Sequence, residues 1–143
     1  LIEAACQRFD ALAAVDADGG DSVKKILIVE DQSDIRKLIR MTLEFEQFET
    51  NEASNGVMGL QLAREWRPDL VLLDVMMPGE LDGLQVCERI RQDPALAGMK
   101  VVILSARGQA KDTEAGKRAG ADDYLIKPFS PVQLVETIER IFE

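Results

Sequence analysis

Histidine is absent from the 143 residues of this chain, and only two cysteines occur, Cys6 and Cys87. The first absence removes Ser-His-Asp triads, Cys-His pairs and imidazole metal ligands. Two cysteines in unrelated contexts cannot build a metal framework. Cys87 falls in an apolar helical pattern and reads as a reduced packing residue, in keeping with a cytoplasmic compartment. No apolar run approaches the roughly 20 residues of a membrane helix. The apolar stretches near the start are short and broken by acids, unlike a signal peptide. Neither a Walker loop nor a Gly-x-Gly-x-x-Gly fingerprint is present. Positive charge is also scarce: 17 Lys and Arg face 26 Asp and Glu, a net −9 that argues against a nucleic-acid partner. Part of this acidity is local. Residues 1–22 carry Glu3, Asp10, Asp16, Asp18 and Asp21 against Arg8, leaving −5 for the rest. What chemistry remains must use carboxylates, hydroxyls and lysine, with or without a hard metal ion.

What is present is an ordinary globular mix, 46% hydrophobic and 30% charged, in a length that suits one domain with a real core. Short β-rich apolar runs alternate with helical patterns. The runs are Ile26–Val29, Leu70–Leu73, Val101–Leu104 and Tyr124–Ile126, continuous enough for strands buried on both faces of a parallel sheet. The more polar stretch Phe48–Ala53 reads as an edge strand. Amphipathic segments lie near 33–46, 55–66, 82–92, 109–119 and 130–142. In the last, Ser130 can cap the helix, Pro131 suits its first turn and Gln133 completes a capping box. Five βα units in succession predict a doubly wound α/β domain.

In such a sheet, ligands bind beyond the carboxyl ends of the strands. The first strand ends in Glu30-Asp31, the central one in Asp74, the fourth in Ser105 and the fifth in Lys127-Pro128. Three carboxylates, a hydroxyl and an ammonium therefore converge on one edge. Two carboxylates about 4 Å apart repel by roughly 4 kcal/mol at an effective dielectric near 20. One must stay protonated, or a cation must sit between them. Oxygen ligands with open water positions suit Mg²⁺ together with a phosphate. Lys127 and Ser105 could then contact a phosphoryl group, and a metal-bound carboxylate could act as its nucleophile. Taken singly, each residue has a plainer reading: Asp74 as a turn residue, Glu30-Asp31 as helix-start acids, Ser105 and Lys127 as solvated ends, Met76 and Met77 as loop packing. The plainer readings weaken only in combination.

From about Val23 to Glu143 the chain resembles the receiver domain of two-component response regulators. The motifs are Ile26-Leu27-Ile28-Val29-Glu30-Asp31, Leu72-Leu73-Asp74-Val75-Met76-Met77-Pro78, Asp82-Gly83, Ile103-Leu104-Ser105-Ala106 and Tyr124-Leu125-Ile126-Lys127-Pro128-Phe129. The resemblance implies a flavodoxin-like three-layer sandwich with strand order 2-1-3-4-5. It implies Asp74 as phosphoacceptor, Asp31 as a direct Mg²⁺ ligand, Glu30 as a ligand through water, and the Met76 carbonyl as a further ligand. Lys127 would contact the phosphoryl group across a cis bond to Pro128. Ser105 would move toward that group with the Ala106 amide, and Tyr124 would swing inward with Ser105. The implied partners are a histidine kinase or histidine phosphotransfer protein. A second copy or an output domain would dock on the face of the fourth helix, fifth strand and fifth helix. No conventional enzyme activity is implied beyond self-phosphorylation and slow self-dephosphorylation, and neither nucleic acid nor membrane is contacted directly.

Between Pro78 and Asp82-Gly83 the chain reads Gly79-Glu80-Leu81, one residue longer than the commoner family loop, so an altered loop path is expected there. Met76 and Arg107 stand at positions that vary within the family and tune phosphoryl lifetime. Residues 1–22 form an N-terminal extension ahead of a receiver domain at 23–143. In it Ile2, Ala5, Cys6, Phe9, Leu12 and Ala13 recur at helical spacing before a linker-like Asp16–Asp21. The end of an upstream domain, a helix packed on this domain or its dimer partner, and a disordered tail all remain open. Two other classes compete. A hydrolytic phosphatase would favour an acid two residues after Asp74, where Met76 stands. A non-phosphorylated interaction module of the same fold would more naturally lack Asp31, Asp74 or Lys127.

Overall fold

The computed structural model describes residues 23–77, 79–106 and 110–142; the expectations for residues 1–22, Pro78 and Arg107 lie outside them. Within them, strands and helices alternate: β1 (Lys25–Val29), α1 (Ser33–Phe45), β2 (Glu49–Ala53), α2 (Gly56–Trp66), β3 (Leu70–Asp74), α3 (Gly83–Gln92), β4 (Lys100–Ala106), α4 (Ala110–Ala119), β5 (Asp123–Lys127) and α5 (Pro131–Phe142). All five strands are parallel in the order β2-β1-β3-β4-β5. The expected doubly wound sheet is the observed one, and the polar β2 lies at its edge.

The continuous apolar runs are explained by the pleat. Successive residues of a strand point to opposite faces, so a strand covered on both sides has no place for a polar one. Leu27, Val29, Val71, Leu73, Val101 and Ile103 face one layer, with Leu60 and Ala63 of α2 and Val86, Cys87 and Ile90 of α3. Ile26, Ile28, Leu70, Leu72, Val102 and Leu104 face the other, with Ile39 and Leu43 of α1 and Leu134 and Ile138 of α5. Each fully buried aliphatic side chain stabilises the fold by roughly 1.5–3 kcal/mol relative to exposure.

Helix starts follow local chemistry. Ser130 and Gln133 form the expected capping box, the Gln133 amide donating to Ser130 Oγ at 3.1 Å and the Ser130 amide to Gln133 Oε1 at 2.9 Å. Asp82 and Gln85 form another at the start of α3. Two strands run past their apolar cores. Asp74 is the last residue of β3, paired with Leu104, and Ser105 pairs with Ile126 inside β4. Asp74, Ser105 and Lys127 are therefore held by the backbone ladder rather than by loops, whereas Glu30 and Asp31 follow β1.

Candidate phosphoryl-acceptor site

Asp74 sits where β3 leaves the sheet and is only 4% exposed. Its backbone is braced by the start of α3. The Gly83 amide donates to the Val75 carbonyl at 3.1 Å, and a Cβ on Gly83 would stand 2.1 Å from the Asp74 carbonyl oxygen. Only glycine permits that approach. Gly79 adopts a φ of +108°, and Leu81 turns inward to bury its side chain against Gly56.

Glu30 follows β1 and is fully buried. Lys127, at the end of β5, reaches back across the sheet edge. Its ammonium lies 2.6 Å from Glu30 Oε1 and 3.2 Å from Asp74 Oδ1. The Lys127–Pro128 peptide is cis. Carboxylate oxygens of Glu30, Asp31 and Asp74 all lie within 4.8 Å of one another. Two of these three acids, Glu30 and Asp74, share one ammonium. Burial, then the neighbouring Glu30 charge, raise the Asp74 carboxyl from 3.8 to about 7, against the opposing pull of Lys127. For Lys127, burial disfavours the charge, but the hydrogen bond to Glu30 and the charges of Asp74 and Glu30 outweigh it and raise its pKa.

This donor set fits a hard divalent cation. It offers oxygen only, it carries more negative charge than its single lysine can balance, and burial together with the Glu30 charge raises the pKa of Asp74. Among the described residues this is the one cluster of three such groups.

Ser105 follows Leu104, the ladder partner of Asp74, and Tyr124 stands on β5 opposite Ile103. Ser105 is buried, its hydroxyl donating at 3.4 Å to the Ala106 carbonyl. Tyr124 is half-buried and packs on the core beside Ile103, and its ring lies where a Cβ on Gly116 would stand 3.3 Å away. Met77 packs into the core as read from sequence, but Met76 does not: its side chain is 71% exposed at the mouth of the site. Sequence reasoning does not single out Arg36 or Glu52, which the fold brings against the Glu30-Asp31 turn. The available signal is weak, an arginine one turn into the helix that follows the acids.

A sequence model of the response regulator receiver domain matches residues 26–139. The transcriptional regulatory protein ResD of Bacillus subtilis (strain 168) is 42% identical over 117 residues, covering 82% of this chain and 47% of ResD. SrrA of Staphylococcus aureus, another transcriptional regulatory protein, is 41% identical over the same shares. The chain spans about half the length of these curated relatives. The solved receiver domain of NtrX from Brucella abortus superposes with a TM-score of 0.74 at 36% identity, covering 80% of this chain and 95% of that one. The signal receiver domain of a histidine kinase from Syntrophus aciditrophicus gives 0.77 at 31% identity, covering 83% and 89%. Receiver domains generally bind Mg²⁺ at an acidic pocket, and response regulators partner with histidine kinases. This chain belongs to the response regulator receiver domain family, whose general function is to accept a phosphoryl group in two-component signalling.

Proposed function

We propose that residues 23–143 form a receiver domain in which Asp74 accepts a phosphoryl group from a phosphohistidine. The single observation that carries this reading is the buried Asp74 carboxylate, within 3.2 Å of Lys127 and inside the Glu30–Asp31–Asp74 cluster. Asp31 and Asp74 would hold Mg²⁺ through their carboxylates, Met76 through its carbonyl and Glu30 through water. Bound there, the ion supplies the missing positive charge, favours ionised Asp74 and shields phosphoryl oxygens from the acids. An ionised Asp74 oxygen attacks phosphorus in line, forming the acyl phosphate bond as the P–N bond breaks and the electron pair leaves with the imidazole. Lys127 holds a phosphoryl oxygen as a point charge. Ser105 and the Ala106 amide receive another, and Tyr124 follows Ser105 inward.

A groove of about 400 Å³ opens beside Lys127, lined by Ile35, Leu38, Ala106, Pro128 and Phe129 among others. An apolar wall at the mouth of a charged site supports docking of a helical phosphohistidine donor, a histidine kinase or a phosphotransfer protein. On the opposite flank Ile126 is exposed on β5, which supports the face of α4, β5 and α5 as the surface read by a second copy or an output domain. No helix among the described residues is long and apolar enough to cross a membrane, which is consistent with cytoplasmic signalling. The test uses Mg²⁺ and a small acyl phosphate donor, followed by intact mass. One added phosphoryl group is expected on the parent chain and none on Asp74→Asn. A mass shift that persists in Asp74→Asn would overturn the site.

A further inference from the structure

We propose that Arg36, oriented by Glu52, is a positioning residue for the Mg²⁺ site, holding the backbone turn that presents Glu30 and Asp31. This inference rests on the Mg²⁺ reading given above and adds a residue to it.

Past Val29 the pairing of β1 with its neighbours ends, so the acids that matter most stand just beyond the ladder. The turn is tied on its amide side by Glu30 N–H to the Ala53 carbonyl at 3.1 Å and by Gln32 N–H to Glu30 Oε2, also at 3.1 Å. Its carbonyl side is met by a side chain. Arg36 Nη1 donates to the Glu30 carbonyl at 2.8 Å and more weakly to the Asp31 carbonyl at 3.4 Å. The same guanidinium is fixed from behind, with Nε on Glu52 Oε1 at 3.0 Å, while Arg40 holds Glu52 Oε2 at 2.9 Å. One planar fork therefore joins the acid turn, helix α1 and strand β2.

A lysine could not make the same set. Its ammonium is a point charge on a flexible stem, without a rigid pair of separated donors. The arrangement also has a sign that sets it apart from plain electrostatics. A cation next to a Mg²⁺ site repels the ion, so by charge alone the loss of Arg36 would tighten binding. By positioning, its loss lets the turn spread and weakens binding.

Calorimetric titration of the full chain with MgCl₂ decides between these. In Arg36→Met the Mg²⁺ dissociation constant should rise about 10- to 100-fold, as when supporting partners of metal ligands are lost. Arg36→Lys should fall between parent and Met variant. Acyl phosphate labelling at saturating Mg²⁺ should return to the parental rate in both, a split that general loss of structure would not produce. An unchanged or tighter dissociation constant in Arg36→Met, or a labelling defect that saturating Mg²⁺ does not relieve, overturns the proposal. Should Arg36→Met fail to fold, Arg36→Lys decides alone: weakening by about threefold or more supports positioning, and parental affinity sinks it. A parent chain that shows no Mg²⁺ binding, with Asp31→Ala indistinguishable from it, would instead sink the underlying metal reading.

Discussion

The two ends of the sheet are built from the same residue types and settle their charges in opposite ways. At the amino edge every described acid in the network meets a donor. Asp69 accepts from the Lys25 amide at 2.8 Å, and Asp122 from Arg91 at 2.7 Å and the Val101 amide at 2.8 Å. Asp123 accepts from Arg140 at 2.7 Å. Arg91 also donates to the carbonyls of Ala97, Met99 and Gly120, closing the junction of α3, β4 and the turn before β5. At the carboxyl edge Glu30, Asp31 and Asp74 lie within 4.8 Å of one another, Lys127 pairs with Glu30 and Asp74, and the nearby Arg36 spends its donors on carbonyls and Glu52. The satisfied edge supplies stability. The carboxyl edge keeps an excess of negative charge, a condition that suits a cation-binding site.

The contrast can be broken by substitution at either end. Lys127→Ala should have the largest effect, slowing acyl phosphate labelling about 100- to 1,000-fold at saturating Mg²⁺, because a donor aimed at developing charge is lost. A time course of intact mass measures it; parental kinetics would show that Lys127 serves the fold alone.

Next comes the protonation of Asp74. Its folded value near 7 exceeds the unfolded 3.8, so the folded state binds more protons between them and loses stability as pH rises through that window. Without metal, the parent should therefore lose up to about 4 kcal/mol between pH 4 and pH 8 from this group. Asp74→Asn should remove that loss, and Mg²⁺ should offset it in the parent. Urea unfolding of both chains with a chelator at the two pH values provides the comparison. Parallel pH profiles for parent and Asp74→Asn would mean that Asp74 is not strained.

At the other edge, Arg91→Ala should cost about 3 kcal/mol in the same assay, since it strips three carbonyls and Asp122 of one donor group. Its Mg²⁺ affinity should stay parental. A metal defect there would show that the two edges are coupled. Smallest of all, Ser130→Ala should cost about 1 kcal/mol by removing one half of the α5 capping box, with labelling unchanged.

Much of the fold is legible residue by residue. Ile26–Val29 and Val101–Leu104 announce strands covered on both faces because no polar residue interrupts them, and Ser130-Pro131 announces a helix start because cap chemistry is local. The strand ends Glu30-Asp31, Asp74, Ser105 and Lys127 follow from the same pattern, since parallel topology sends them all to one edge. Less legible is anything that depends on which atoms meet. Met76 and Met77 look alike in sequence, yet one is solvent-facing and the other buried, because the loop is pinned at Leu81 and Gly83. Arg36 looks like any helix-surface arginine until β2 brings Glu52 beside it.

The sequence by itself therefore determined the βα alternation, the edge on which the acids gather and the family to which their motifs belong. These depend on periodicity and chain order, which a linear string carries in full. Only the tertiary structure decided that Lys127 reaches Glu30 across 97 residues of chain, that burial raises the pKa of Asp74, and that Arg36 braces the acid turn. Those outcomes depend on burial and on distances of a few ångströms between remote side chains, and electrostatic energy changes steeply over just that range.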